Sequence, residues 1–388
     1  MRLLKCNLAN SKYKENNNLG KYGKKNEVKL DPLAYNLALI GESGIGKTTI
    51  IKEYCEKLAG EDGYLFLEIG KEDGADAIDG IVYEDAPDWD AFEDIIDDIV
   101  TNKVSDYSEL RVVVIDTYDE LFRIAEPEVV RMHNVDNMDK PVKSIKGAFG
   151  GFQAGEDKCI EIVLNKLWSL KEVGVSFIVI GHTKTRNVDD PVTGESFMQL
   201  TTNMPQKYFN AIKTKVHFLG VAAIDRKIVQ EKTGKKDFVT KKDVMKGVVK
   251  GETRKITFRD DNFVIDSKSR FADIIDDIPM DVDALINAIN EAIEKERSKS
   301  GRKLSDDKNR QEKAEAEKLK EIAKAEQNKK EAKKLEDVVS KITDFIKENK
   351  SNMDKIKPII AKSKELGYDN PTLITDIDDA NKVLALIS

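Results

Sequence analysis

The sequence predicts an α/β fold built on a mostly parallel sheet, and three observations predict it. Apolar runs recur between Leu33 and about Phe271, as "LALIG", "YLFLEIG", "RVVVIDT" and "VSFIVIG", and read as strands buried on both faces. Segments with apolar residues at helical spacing, 47–59, 88–102 and 156–172, alternate with them. That order places crossover helices on the faces of a parallel sheet. The first run leads directly into "GESGIGKTTI", Gly41 to Ile50, a glycine-rich turn between a strand and a helix.

The elements follow in order. A lead segment, residues 1–32, precedes the α/β core of residues 33–297. Asp88 is placed to cap a helix carrying Trp89, Phe92, Ile95, Ile96 and Ile99. After Lys215, "KVHFLGVAAIDRKIV", "TRKITF" and "NFVIDS" read as antiparallel strands closing one edge, and a helix starts after Pro279. Residues 298–349 shift to Lys, Glu, Ala and Gln and predict one solvated charged helix acting as a spacer. Leu335, Val339, Ile342 and Ile346 form a short apolar stripe on it, too brief for a long coiled coil. Apolar periodicity returns in residues 350–388, with turn signals at Gly367 and Asn370-Pro371, and predicts a small helical module.

At 388 residues the chain can bury a large core. Its three cysteines, Cys6, Cys55 and Cys159, lie far apart in no CxxC pattern, which argues against a disulfide framework and suits a reducing cytosol. The opening residues lack an apolar signal core, and no run approaches the ~18 apolar residues of a membrane span. The expectation is a soluble cytoplasmic protein with no membrane partner. The net charge of -7 does not exclude nucleic acid, because acid gathers in residues 72–98 and base in residues 226–255.

The glycine-rich stretch fits G-x-x-x-x-G-K-[ST] through Gly41, Gly46, Lys47 and Thr48. Backbone N–H groups of Glu42, Ser43, Gly44, Ile45 and Thr49 join them in a cradle at a helix N-terminus. In such a loop Lys47 reaches the β- and γ-phosphates and the Thr48 hydroxyl coordinates Mg²⁺. The expected ligands are therefore ATP and Mg²⁺. The run "RVVVIDT" ends in Asp116, a carboxylate at a strand's carboxyl end suited to holding the metal through water.

Thr117 follows Asp116, where AAA+ machines usually carry Glu. The chain instead resembles the RecA-like ATPases. More narrowly, "LEIGKEDG", the helix start at Trp89 and Phe92, "VVVIDTYDELF", "IGHT" and "DSKSRF" look like the phage-encoded, core-only members acting in single-strand annealing and recombination, over residues 33–290. The resemblance implies that His182, at the end of the strand between the phosphate-loop strand and the metal strand, senses the γ-phosphate; otherwise it is a packed or solvated histidine. It implies a general base just after the neighbouring strand: Glu68, or Glu72, with Asp119 and Glu120 further candidates. It implies two DNA-touching loops. The first, residues 134–155, carries Lys140, Lys143 and Lys146 with Phe149 and Phe152, suited to phosphate contact and base stacking, although both rings also suit a lid or core. The second, residues 183–206, carries Lys184 and Arg186. Lys232, Lys235, Lys236, Lys241 and Lys242 add phosphate contacts or a plain solvated edge. Lys268 and Arg270 either enter a neighbouring subunit's ATP site or form a surface pair.

The function so implied is a DNA-dependent ATPase that assembles with itself on single-stranded DNA, as a ring or filament, and promotes annealing or strand exchange in a phage-infected bacterial cytoplasm. The C-terminal module would meet a single-strand-binding protein or another replication partner. The alternatives are a RecA-like helicase or helicase loader, and a nucleotide-gated scaffold with slow hydrolysis.

Overall fold

The computed structural model describes residues 26–387 except 73, 191–192, 237–242, 261–264 and 351. In chain order the elements are β1 (Leu37–Gly41), α1 (Lys47–Ala59), β2 (Tyr64–Ile69), β3 (Tyr83–Ala86), α2 (Trp89–Thr101), β4 (Val112–Asp116), α3 (Tyr118–Asp136), α4 (Ala154–Glu172), β5 (Ser176–Asp189), β6 (Ser196–Thr202), α5 (Gln206–Lys213), β7 (Phe218–Lys236), β8 (Asp243–Thr257), β9 (Lys268–Ser269), β10 (Asp277–Pro279), α6 (Val282–Ser298), α7 (Leu304–Glu348), α8 (Met353–Glu365) and α9 (Ile377–Leu384). The fold is α/β, with a mostly parallel central sheet flanked by helices and antiparallel strands at one edge. The chain forms two compact units: one runs up to Leu58 and resumes at Ile180–Gln311, the other comprises Ala59–Val179 and continues from Glu312.

In the first unit β1 is buried along its whole length and pairs in parallel with β7, Gly41 lying opposite Ala222. A Cβ on Gly41 would stand 2.9 Å from both the Cβ and the carbonyl oxygen of Ala222, so only glycine lets the strand end there. Outward from β7 come β8 and β10, both antiparallel, while β5 lies on the other side of β1. Asp281 caps α6 by accepting the Ala284 N–H at 3.0 Å, and the helix buries Leu285, Ile289 and Ile293.

Among the described residues, most of the expected second loop is strand. Residues that read as an irregular connection continue β5 to Asp189 and return as β6, an antiparallel hairpin with Thr183 opposite Thr202. Of "NFVIDS", residues 262–264 lie outside the described part; Ile265 makes a single bridge to Leu200, and β9 adds two residues against β7.

The second unit contains β3, β2, β4 and the first residues of β5, in that order, with β2 parallel to both its neighbours. Asp88 caps α2 as expected, accepting the Ala91 N–H at 2.9 Å, and Phe92, Ile96 and Ile99 of that helix are fully buried. The expected first loop is shorter than it reads, because α3 runs on to Asp136 and a 3-10 turn from Ile145, kinked at Ala148 and Phe149, buries Ile145 and Ala148.

The charged segment is a single 45-residue helix, α7. It is not a free spacer. Within the second unit Glu326 accepts the Val104 N–H at 2.7 Å, Lys330 donates to Ser105 Oγ at 2.9 Å and Lys318 to the Lys171 carbonyl at 3.1 Å. The apolar stripe at its far end packs into the C-terminal module, where buried Ile342 joins Ile359, Ile374, Ala380 and Val383. The end of α7, from Leu335, thus shares a core with residues 350–388.

Candidate nucleotide site

In the first unit the chain leaves β1 at Gly41, turns through Glu42–Gly46 and enters α1 at Lys47. Gly44 and Gly46 have φ of +74° and +104°, the left-handed region that tolerates glycine. Buried Ile45 anchors the loop from beneath, leaving Glu42, Ser43 and Gly44 exposed at its rim. The Lys47 ammonium folds back over the loop and donates to the carbonyls of Gly41 at 3.2 Å and Glu42 at 3.0 Å. This left-handed curl, the N-terminus of α1 and the ammonium fit a chain of phosphates. The half-buried Thr48 hydroxyl in the first helical turn is a hard oxygen donor of the kind Mg²⁺ accepts, and Thr49 beside it is exposed.

His182 is half-buried on β5, and its carbonyl accepts the Asn203 N–H at 2.8 Å. It therefore lies where β5 passes into the hairpin with β6, in mid-strand rather than at a strand end. Sequence reasoning missed Arg254, on β8, whose Nη1 donates to the Ile45 carbonyl at 3.0 Å. Nothing local to Arg254 signals this; it lies 209 residues from its partner.

In the second unit Asp116 closes β4, nearly buried, directly opposite Glu68 on β2. Glu68 is also nearly buried, and its Oε1 accepts the Ala75 N–H. Burial pushes its carboxyl above the usual range; the Ala75 hydrogen bond opposes this and the Asp85 charge adds to it. Glu68 thus fastens the turn after β2. Glu72 lies elsewhere: its Oε1 accepts the Thr117 hydroxyl at 3.3 Å, one residue past Asp116. Thr117 also caps α3 by accepting the Glu120 N–H at 3.4 Å, and Glu120 pairs with Arg123 at 2.8 Å. Asp119 is half-buried in the first turn of α3. Of the carboxylates considered for the base, Glu72 is the one hydrogen-bonded to the residue following Asp116, and Glu68 has a structural task.

That task gives a test. Glu68→Ala leaves the buried Ala75 N–H without its acceptor and is expected to cost ~1–3 kcal/mol. Glu68→Gln keeps an acceptor. A carboxyl raised in the folded state contributes stability at low pH and loses it as pH rises through its folded pKa. The Gln variant should therefore gain on the wild type as pH rises above about 4, read as the difference between two denaturation series.

A family model described as an AAA domain matches residues 33–271, more than half of the chain. The chain belongs to this AAA-domain family. The Thr117 that speaks against AAA+ machines in the sequence does not keep this AAA-domain protein out of a family bearing that description. No curated protein matches it. Among solved structures, one from a study titled "Structural and biochemical analysis of a prototypical ATPase from the type III secretion system of pathogenic bacteria" is similar at 13% identity and a TM-score of 0.29, over 48% of this chain and 51% of that chain. The AAA-domain protein thus spans about half the length of that ATPase. Among its described residues no helix is long and apolar enough to cross a membrane, and Cys55 and Cys159 are buried and not disulfide-bonded.

The remaining expected residues of the AAA-domain protein divide sharply. Lys268 donates to the Lys213 carbonyl at 2.6 Å and Arg270 to the Thr214 carbonyl, so both cations neutralise the C-terminal end of α5. Burial, then the charges of Arg270 and Lys213, hold the Lys268 ammonium below its usual range. To enter a neighbour's site, the pair would first have to leave those carbonyls. Arg186 donates to the carbonyls of Thr202 and Met204 and is built into the β5–β6 hairpin, whereas Lys184 beside it is exposed. Phe149 packs edge-on against buried His133, ring centres 5.3 Å apart, and its N–H donates to His133 Nδ1 at 3.0 Å. Phe152 is fully exposed, and Lys140, Lys143 and Lys146 are exposed. Lys241 and Lys242 lie outside the described residues.

Proposed function

We propose that this AAA-domain protein binds and hydrolyses ATP with Mg²⁺, that single-stranded DNA stimulates it, and that it assembles with itself on that DNA to promote annealing or strand exchange in the cytoplasm of a phage-infected bacterium. The phosphate loop and Lys47 bind the phosphates, and the Thr48 hydroxyl supplies an oxygen ligand for the metal. Bound Mg²⁺ would neutralise charge on the phosphates. Glu72 orients the attacking water and takes its proton on a carboxylate oxygen, and Thr117 Oγ1 holds that carboxylate in place. His182 responds to the terminal phosphate. The C-terminal module, with its core shared by the end of α7, presents a surface to a single-strand-binding protein or another replication partner.

The observation that carries the DNA reading is the segment from Lys140 to Gln153. Five consecutive residues, Phe149 to Gln153, have positive φ, three of them without a glycine's freedom. Such conformations cost ~1–3 kcal/mol each and gather at sites of function. Here they hold Phe152 in solvent within the segment that carries three exposed lysines, a ring for stacking bases and cations for phosphates.

Phe152→Ala is expected to weaken single-stranded DNA binding by ~1–3 kcal/mol, with its salt dependence kept. Lys143→Ala with Lys146→Ala should instead flatten the salt dependence by roughly 0.7 per lysine in log–log slope. Fluorescence anisotropy across a salt series reads both. Unchanged binding in both variants moves DNA elsewhere. If DNA alters neither ATP turnover nor oligomer size, the nucleotide-gated scaffold gains, and unwinding of a forked duplex would favour a helicase.

A further inference from the structure

We infer that Arg254 is a second cation of the phosphate site, supplied from the same chain, whose guanidinium passes from the Ile45 carbonyl to a phosphate oxygen when nucleotide binds; this rests on the phosphate-loop reading proposed above. Four observations lead there, all within the first unit.

Arg254 is launched from a fixed backbone. It stands opposite Ile224 of β7, and its carbonyl accepts the Met280 N–H at 3.0 Å. Its guanidinium reaches the loop at the right place: Nη1 lies 3.0 Å from the Ile45 carbonyl and 3.8 Å from where a Cβ of Gly46 would stand, immediately before Lys47. Its charge faces a neutral acceptor there. Arg226, by contrast, pairs with Glu252 at 2.8 Å, and that hydrogen bond raises its pKa. Finally, the Arg254 side chain is exposed, so a ligand from solvent can reach its fork of N–H groups.

The exchange is favourable on elementary grounds. A hydrogen bond from guanidinium to an anionic oxygen is roughly twice as strong as one to a neutral carbonyl, and the planar fork engages two oxygens at once. Ile45 and Gly46 belong to the part of such a loop that cradles the α- and β-phosphates. ADP should therefore depend on Arg254 as much as ATP does.

The test is equilibrium binding of a fluorescent ADP to the full chain across a KCl series, with Arg254→Ala, Arg254→Gln and Arg254→Lys beside the wild type. Gln keeps a neutral donor for the Ile45 carbonyl; Lys keeps the charge. Ala and Gln are both expected to bind ~10- to 100-fold more weakly with reduced salt sensitivity, and Lys to recover the salt sensitivity and part of the affinity. Thermal melts of Ala against Gln read loop support separately from charge. Wild-type affinity in the Gln variant would reduce Arg254 to a brace for Ile45, and wild-type affinity in all three would remove it from the site. If the wild type itself binds no ADP, the phosphate-loop reading falls and takes this inference with it.

Discussion

Lys47→Ala protein is expected to turn over ATP on the order of 10²- to 10³-fold more slowly than the wild type, the usual consequence of removing one preorganised donor from developing phosphate charge. Lys47 is only 6% exposed, and its ammonium donates to two carbonyls of its own loop, Gly41 and Glu42. Phosphate oxygens can replace these neutral carbonyls as acceptors, because a charged donor bonds an anionic oxygen more strongly. Truncation also has a folding cost. The Gly41 carbonyl sits at the buried end of β1 and loses a charged donor, while the Glu42 residue is exposed and water replaces the lost bond. About 1–3 kcal/mol of stability should go, well short of unfolding a core of this size. Phosphate release, read beside a thermal melt, separates the two effects. Wild-type turnover in a folded Lys47→Ala protein would remove the ammonium from the chemistry.

Glu72→Gln should lower kcat by ~10²- to 10⁴-fold while nucleotide affinity stays within a few-fold of the wild type, because a proton acceptor acts in the transition state and contributes little to ground-state binding. The choice of Glu72 over Glu68 rests on what each carboxylate touches. Glu68 accepts a backbone N–H and is closed in by the turn it holds, whereas Glu72 is half-buried and bonded to Thr117 Oγ1. Single-turnover hydrolysis with pre-bound ATP reads the step directly. A Glu72→Gln protein that hydrolyses normally, beside an inactive but folded Glu68→Gln protein, would reverse the assignment.

Much of this was legible in the residues. The strand, glycine turn and helix of Leu37–Ala59 are recoverable because left-handed glycines, the lysine and the helix start lie within a few residues of one another, and local conformation follows local sequence. Asp116 was legible for the same reason, as the polar end of a buried run. The β5–β6 hairpin was not, because "TKTRNVDD" has no apolar alternation to mark a strand, and its pairing is set by contact with Ser196–Thr202. Phe149 and Phe152 look alike in sequence, yet one packs on His133 and the other stands in solvent.

The sequence by itself determined the class of fold, the phosphate loop, the helix cap at Asp88, the helix after Pro279 and the single charged helix, since periodicity, capping and turn chemistry act over one or two helical turns. Only the tertiary structure decided which side chains meet. It placed Glu72 rather than Glu68 on Thr117, anchored Lys268 and Arg270 at the end of α5, and brought Arg254 to Ile45. The reason is physical: strand register and the packing of distant segments select those partners, and neither leaves a trace in the residues beside them.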